Sequence, residues 1–325
     1  MTGEPDLPAA PDLPAAPDLP ASPDLPRELD LSGEGDQMHP TDRPQPIEDA
    51  DLMAGSELSA LVTLAEEAAR AAGELIHGGR PERLEVDTKS SPTDVVTQMD
   101  TAAEELLRKL VGRRRPEDGL LGEESGPQAG TSGLTWVIDP IDGTVNYLYG
   151  LPQFAVSVAV VTGDPATPGA WSTLAGCVHS PATGLTWTAV RGGGAYLNGR
   201  RLQLDAPPAL EGALVGTGFG YRAARRANQA RVLAELLPQI RDIRRFGCAS
   251  IDLCMLATGM LDAYYERGLN PWDLAAGVLV VTEAGGAVRG LGELPPSDLM
   301  VVAGRDPLLA DLAGLLLELD AGRDD

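Results

Sequence analysis

The stretch Trp136-Val137-Ile138-Asp139-Pro140-Ile141-Asp142-Gly143-Thr144 drives an apolar run straight into two carboxylates. A buried strand must therefore end where two acids emerge, with Pro140 stiffening the exit and Gly143 and Thr144 supplying small residues and free N–H groups. Carboxylates this close on a turn suit hard divalent cations, which prefer oxygen ligands. A helix beginning after Asp142 would also favour phosphate at its N-terminus. The same spacing equally suits a plain strand-to-turn junction, with one Asp as turn residue and the other as helix cap.

The remaining composition narrows the classes. The 325 residues, 43% hydrophobic, are enough for one large domain or two closely packed halves. No run approaches the ~20 apolar residues of a membrane span, and no basic segment precedes an apolar core, so neither membrane insertion nor a secretory signal is expected. Cys177, Cys248 and Cys254 lack C-x-x-C spacing, which argues against zinc and for a reducing, cytoplasmic setting. A formal charge of −23 disfavours nucleic acid and anionic membranes as partners. It would also repel an anionic substrate, unless bound cations reverse the local sign.

From Pro5 to Pro26 the chain repeats a unit close to Pro-Asp-Leu-Pro-Ala-Ala. Proline at that density forbids helix and sheet, so residues 1–51 are expected to be a disordered acidic tail and residues 52–325 the folded domain. Apolar residues at helical spacing predict a helix from Ser56, its candidate cap, to Ile76, and a second from Asp100 to Arg113. Gly119 to Gly122 forms a short strand leading to Glu123-Glu124. Strands are expected at Phe154–Val161, Trp171–His179 and Leu185–Val190, with Asn198-Gly199 as a hairpin turn. Further strands follow at Ala213–Gly218, Ala263–Glu266 and Leu299–Ala303. Helices are expected at Gln229–Leu237, Ser250–Gly259, Trp272–Ala284 and Leu308–Leu319. Helices and strands mix without regular βαβ alternation, which favours a layered α/β sandwich over a doubly wound sheet or a barrel.

Acids stand at element ends: Asp100, Glu123, Glu124, Asp139, Asp142, Glu266 and Asp273. Each alone suits a cap or a solvated side chain. Asp273 stands among Trp272, Leu274, Ala275 and Ala276, so it is either a buried carboxylate needing a cation or a helix-start acid at the N-cap or first position.

Four motifs occur in order: Lys89-Ser90-Ser91-Pro92-x-Asp94-x-Val96-Thr97-x-x-Asp100; Gly122-Glu123-Glu124-Ser125; Trp136-x-Ile138-Asp139-Pro140-Ile141-Asp142-Gly143-Thr144-x-Asn146-Tyr147; and Trp272-Asp273-x-Ala275-Ala276-Gly277. This pattern resembles the inositol monophosphatase family of Mg²⁺-dependent, lithium-sensitive phosphatases, from about Ser56 to the last helix. The resemblance implies an α-β-α-β-α sandwich, a homodimer and a small sugar or inositol phosphate as substrate. It implies two to three Mg²⁺ ions: Glu123, Asp139 and the Ile141 carbonyl on the first, Asp139, Asp142 and Asp273 on the second, and Glu123 helping a weaker third through water. Thr144, paired with Asp100, would orient the attacking water, and no covalent phospho-enzyme is expected. The N–H groups of Gly143 and Thr144 would hold phosphate, while Asp142, Glu266 and the segment Gly247-Cys248-Ala249 would meet the alcohol. Cys248, where relatives often have threonine, is expected to be a packing residue. Lys89 would add charge near the weaker metal site or be an ordinary solvated lysine. The loop Gly218-Phe219-Gly220-Tyr221-Arg222 is a candidate substrate border, with Arg222 either a solvent-side helper or a surface residue.

Inositol 1-phosphate is the expected substrate. Histidinol phosphate, fructose 1,6-bisphosphate and phosphoadenosine phosphate are the enzymatic alternatives, the last two calling for extra basic or stacking residues. A regulatory or scaffold role with incidental catalysis is the alternative of another class.

Overall fold

The computed structural model describes residues 55–81, 84–89 and 95–323. The acidic tail 1–51 and the motif residues Ser90–Asp94 lie outside the described residues. The first helix, α1 (Gly55–Gly78), contains Ser56 within it and not at its cap. A hairpin of β1 (Val86–Thr88) and β2 (Val95–Thr97) leads into α2 (Gln98–Arg114), which starts two residues ahead of the sequence expectation. Thr97 is its N-cap and Asp100 its third residue, joined in a reciprocal capping box.

The large sheet is built from β3 (Gly119–Gly122), β4 (Gly126–Gln128), β5 (Leu134–Asp142), β6 (Ala155–Gly163), β7 (Trp171–Ser180), β8 (Leu185–Val190), β9 (Gly194–Leu197) and β10 (Arg200–Arg201), with a short α3 (Thr144–Tyr149) after β5. Its order is β10-β9-β8-β7-β6-β5-β3-β4, antiparallel except where β3 meets β5. Asn198 and Gly199 both take positive φ (48° and 79°), the turn that a tight hairpin between β9 and β10 requires.

The smaller sheet follows from β11 (Leu214–Thr217), β12 (Asp242–Arg244), β13 (Ala263–Glu266), β14 (Ala287–Arg289) and β15 (Val301–Gly304), in the order β12-β11-β13-β15-β14. Its helical partners are α4 (Ala223–Leu236), α5 (Ala249–Ala257), α6 (Pro271–Glu283) and α7 (Leu308–Glu318). Helix α4 begins six residues before the expected Gln229, because its first turns are Arg- and Ala-rich and carry no apolar stripe. Strands β1, β2, β4, β12 and β14 were not expected from sequence. Each has three residues, too few to show alternation.

Alternation on the longer strands sets the layers, because successive side chains face opposite sides. Trp136, Ile138, Val156 and Val158 pack with Leu61, Ala68 and Leu107 of α1 and α2. Val137, Ala159 and Val178, on the other face, meet Leu253, Ala276 and Val280 of α5 and α6. Tyr264, Val301 and Ala303 of the smaller sheet close that same middle layer. Its far face, through Val215, Tyr265 and Val302, packs on Val232, Leu236 and Leu312 of α4 and α7. The result is the expected α-β-α-β-α sandwich. Among the described residues no helix is long and apolar enough to cross a membrane.

Candidate active site

The register of β5 on β6 breaks at the motif. Asp139 pairs with Ser157 and Asp142 with Ala155, so Pro140 and Ile141 stand opposite the single residue Val156. Residues three apart on a regular strand face opposite ways. The extra bulge residue restores Asp142 to the side of Asp139, and proline is tolerated there because a bulge leaves a ladder position unpaired. The Ile141 N–H donates to Asp139 Oδ1 (3.0 Å), which closes the turn. The Ser250 N–H, near the start of α5, donates to Asp142 Oδ2 (2.7 Å).

The third acid arrives on α6. Asn270 is the N-cap, Pro271 the first helical residue, and Asp273 the third, which replaces the expected N-cap or first position. Its Oδ2 accepts from the Asn270 N–H (2.7 Å). The helix is pressed onto the large sheet. Thr173 Oγ1 donates to the Ala275 carbonyl (3.0 Å), and a Cβ on Gly176 would come within 3.0 Å of the Ala276 Cα. Asp139, Asp142 and Asp273 thereby bring one carboxylate oxygen each within 4.8 Å of one another. Burial and then the neighbouring Glu123, Asp142 and Asp273 push the Asp139 carboxyl far above the usual range; burial, Asp142 and Glu123 do the same to Asp273. An all-oxygen donor set with unrelieved like charge fits a hard divalent cation.

Glu123 lines the same cavity and meets Asp139 of that trio side chain to side chain. Lys89 Nζ donates to Glu123 Oε1 (2.7 Å) and Glu124 Oε1 (2.6 Å). Burial pushes the Glu123 carboxyl up, against the pull of Lys89. Burial would lower the Lys89 ammonium, but Glu123 and Glu124 more than offset it and raise it overall. Lys89 is thus tied to carboxylates and is not the ordinary solvated lysine. The backbone of this turn is held by a residue that sequence reasoning missed. Glu104 of α2, 1% exposed, accepts from the N–H groups of Glu124 (2.7 Å) and Ser125 (2.9 Å) and pairs with Arg108. An acid on the apolar side of an amphipathic helix was the available signal.

At the start of α3, Gly143 takes a φ of +90°, and a Cβ there would lie 2.8 Å from the Gln153 carbonyl. Only glycine suits that place. Thr144 follows, its Oγ1 within 3.2 Å of Asp100 Oδ1 and 3.0 Å of the Ile141 carbonyl. Asp100 is fully buried, and its other oxygen accepts from the Thr97 N–H (2.9 Å) and hydroxyl (2.6 Å). Burial outweighs those bonds and pushes its carboxyl up to about 6.

The cavity, about 390 Å³, continues past these acids to Gly247, Ala249 and Glu266. Tyr264 donates its hydroxyl to Glu266 Oε2 (2.5 Å), and burial pushes the Glu266 carboxyl up to about 7. Cys248 is buried beside Ala249 with its thiol raised by burial, consistent with the expected packing role. Arg225, Arg245 and Arg267 also line the cavity and were not singled out from sequence, since arginines in loops and polar helix turns read as surface residues. Asp252, inside the apolar run of α5, was likewise missed. It is fully buried, and neither carboxylate oxygen has a hydrogen-bond partner.

Comparison with known proteins agrees with this geometry. The model of the inositol monophosphatase family matches residues 57–314. The chain is 47% identical over 214 residues to an inositol-1-monophosphatase of Mycobacterium leprae, covering 63% of this chain and 71% of that one. It is 39% identical over 235 residues to the Nus factor SuhB of Pasteurella multocida, covering 71% and 85%. The solved inositol monophosphatase of Anabaena superposes with a TM-score of 0.70 at 29% identity, covering 81% of this chain and 97% of that one. The chain belongs to the inositol monophosphatase family and is a phosphoric monoester hydrolase.

Proposed function

We propose that the protein hydrolyses a small polyol phosphate monoester, inositol 1-phosphate, with two to three Mg²⁺ ions at the acidic end of the cavity. The observation that carries this reading is the convergence of Asp139, Asp142 and Asp273 within 4.8 Å, beside the Thr144–Asp100 pair. Glu123, Asp139 and the Ile141 carbonyl would hold one ion; Asp139, Asp142 and Asp273 would hold a second; Glu123 would support a third. When bound, Mg²⁺ supplies charge for the phosphoryl oxygens and a water acidified for attack.

The chain's own groups do the rest. The Thr144 hydroxyl, held by Asp100, orients the attacking water, and Asp100 accepts the proton through it. The N–H groups of Gly143 and Thr144 receive phosphate oxygens. Asp142, Glu266 and the Ala249 backbone meet the hydroxyls of the alcohol. No covalent phospho-enzyme is expected, since the family likeness implies direct attack by water, and Cys248 is buried as a packing residue. Residues 52–325 constitute this catalytic unit. We further infer a homodimer, from the family likeness, and a cytoplasmic setting, which suits three buried free thiols.

The test is phosphate release from inositol 1-phosphate at millimolar Mg²⁺. Activity in the wild type that is lost in Asp139→Asn supports the reading, and no release from any sugar phosphate in a panel overturns it. A regulatory role has one observation behind it, the Nus factor name carried by a relative at 39% identity. An Asp139→Asn strain that keeps the cellular phenotype would place the biological role there.

A further inference from the structure

We propose that Asn146 is the positioning residue that sets the alcohol half of the site against the phosphate half. This rests on the hydrolase reading above and adds a residue to it. Asn146 is 5% exposed and belongs to α3, behind the cavity wall and not in its lining. Its side-chain Nδ2 donates to the Gln153 carbonyl (2.7 Å) and the Phe246 carbonyl (2.7 Å), with the Gly247 carbonyl at 3.3 Å.

Three carbonyl oxygens around one atom fix which end of the amide points there, because the amide oxygen would meet only acceptors. An NH₂ group has two hydrogens, so the two short bonds take one each and the longer contact is shared. The carbonyls belong to separate connections. Gln153 leads into β6 of the large sheet, whereas Phe246 and Gly247 join β12 of the smaller sheet to α5, 100 residues or more beyond Asn146. Gly247 takes a φ of +83°, and a Cβ there would stand 3.3 Å from Asn146 Nδ2 and run into the Arg245 guanidinium. From the other side, a Cβ on Gly143 would lie 3.2 Å from the Cys248 Cβ and 3.3 Å from the Gly247 carbonyl oxygen. The two segments are pressed together where the amide ties them.

What the tie spans is the site itself. On its α3 side stand Gly143 and Thr144, whose N–H groups are assigned to phosphate; on its α5 side stand Gly247 and Ala249, assigned to the alcohol. All four line the cavity. The Ser250 N–H bond to Asp142 Oδ2 (2.7 Å) joins the same two segments, so its geometry depends on where α5 begins. Aspartate at position 146 would match asparagine in size but donate nothing, and would set a charge against three carbonyl oxygens. Without the amide, Phe246 to Ala249 is released from α3, and misplacement falls first on the alcohol. Displacement of about 1 Å in a positioning group can cost ~10²-fold in rate.

The experiment compares Asn146→Asp with the wild-type full chain, and Asn146→Ala serves if the added charge prevents folding. kcat and KM are measured at millimolar Mg²⁺ on inositol 1-phosphate and on p-nitrophenyl phosphate, an ester with the phosphate but no polyol. With inositol 1-phosphate, kcat/KM is expected to fall about tenfold or more, chiefly through KM; with p-nitrophenyl phosphate it should fall less than about threefold. Hydrogen exchange without substrate is expected to quicken about tenfold or more at the Ser250 amide and its neighbours, with β6 and β7 unchanged. An equal loss on both esters overturns the positioning role. So does exchange at the start of α5 that stays the same, or that quickens together with β6 and β7. Exchange needs no turnover, so it decides the tie even if neither ester is hydrolysed, an outcome that would sink the hydrolase reading separately.

Discussion

The Glu104 carboxylate reaches from α2 to the turn beyond β3 and accepts a 2.7 Å hydrogen bond from the Glu124 N–H. Adding the Ser125 N–H and Arg108, it satisfies a turn whose side chains, Glu123 and Glu124, both accept from Lys89. Gly122 allows this approach, since a Cβ there would lie 2.5 Å from the same carboxyl carbon. Removing the carboxylate strands two N–H donors and a partly buried guanidinium. Glu104→Ala is expected to cost about 2–4 kcal/mol in urea unfolding and to raise the Mg²⁺ concentration for half-maximal activity. Glu104→Gln, which keeps an acceptor, should cost less.

The Thr144–Asp100 pair is expected to act on the chemical step. Thr144→Ala and Asp100→Asn should each lower kcat about 10²–10⁴-fold with a small change in KM, and Thr144→Ser should recover most of the loss. Steady-state kinetics on inositol 1-phosphate would show it. A loss confined to KM would remove the pair from the water-orienting role.

Acidic groups without a cation make the protein sensitive to pH. Asp100 titrates near 6 and Glu266 near 7 in the folded chain, against ordinary values of 3.8 and 4.5. Between each ordinary value and its folded value, the folded state holds more protons than the unfolded chain, so stability falls as pH rises. Asp139 and Asp273, also raised, act in the same direction. Melting temperature in EDTA is therefore expected to drop from pH 5 to 7.5, and Mg²⁺ to restore it at neutral pH. Asp273→Asn should flatten the EDTA profile.

Lithium is expected to inhibit, as a small cation able to replace one Mg²⁺ among these oxygens. Activity assayed across lithium concentrations at fixed Mg²⁺ would show it. Full activity in high lithium would count against the proposed ion arrangement.

Gly143→Ala places a side chain at a φ of +90° and against the Gln153 carbonyl. The variant should lose about 1–3 kcal/mol of stability and displace Thr144, so kcat should fall along with the melting temperature. Unchanged kinetics would show that α3 begins correctly without the left-handed residue.

Much of this molecule was determined by its sequence alone. The apolar periods of α1, β6, β7, α6 and α7 are properties of neighbouring residues, and they placed those elements to within a few positions. The four motifs named the acids at Asp139, Asp142 and Asp273 and the partner of Thr144 before any coordinates. What tertiary structure alone decided is whatever depends on register and on residues far apart. The bulge that returns Asp142 to the side of Asp139 exists only because β6 offers one residue against two. Three-residue strands such as β12 and β14 owe their conformation to a neighbour and not to their own pattern. Glu104 and Asp252 look like acids on helices until packing buries them. The four arginines Arg222, Arg225, Arg245 and Arg267 meet only when three segments fold around one cavity. Local chemistry is written in adjacent residues; the meeting of distant charges is settled by which layers pack together.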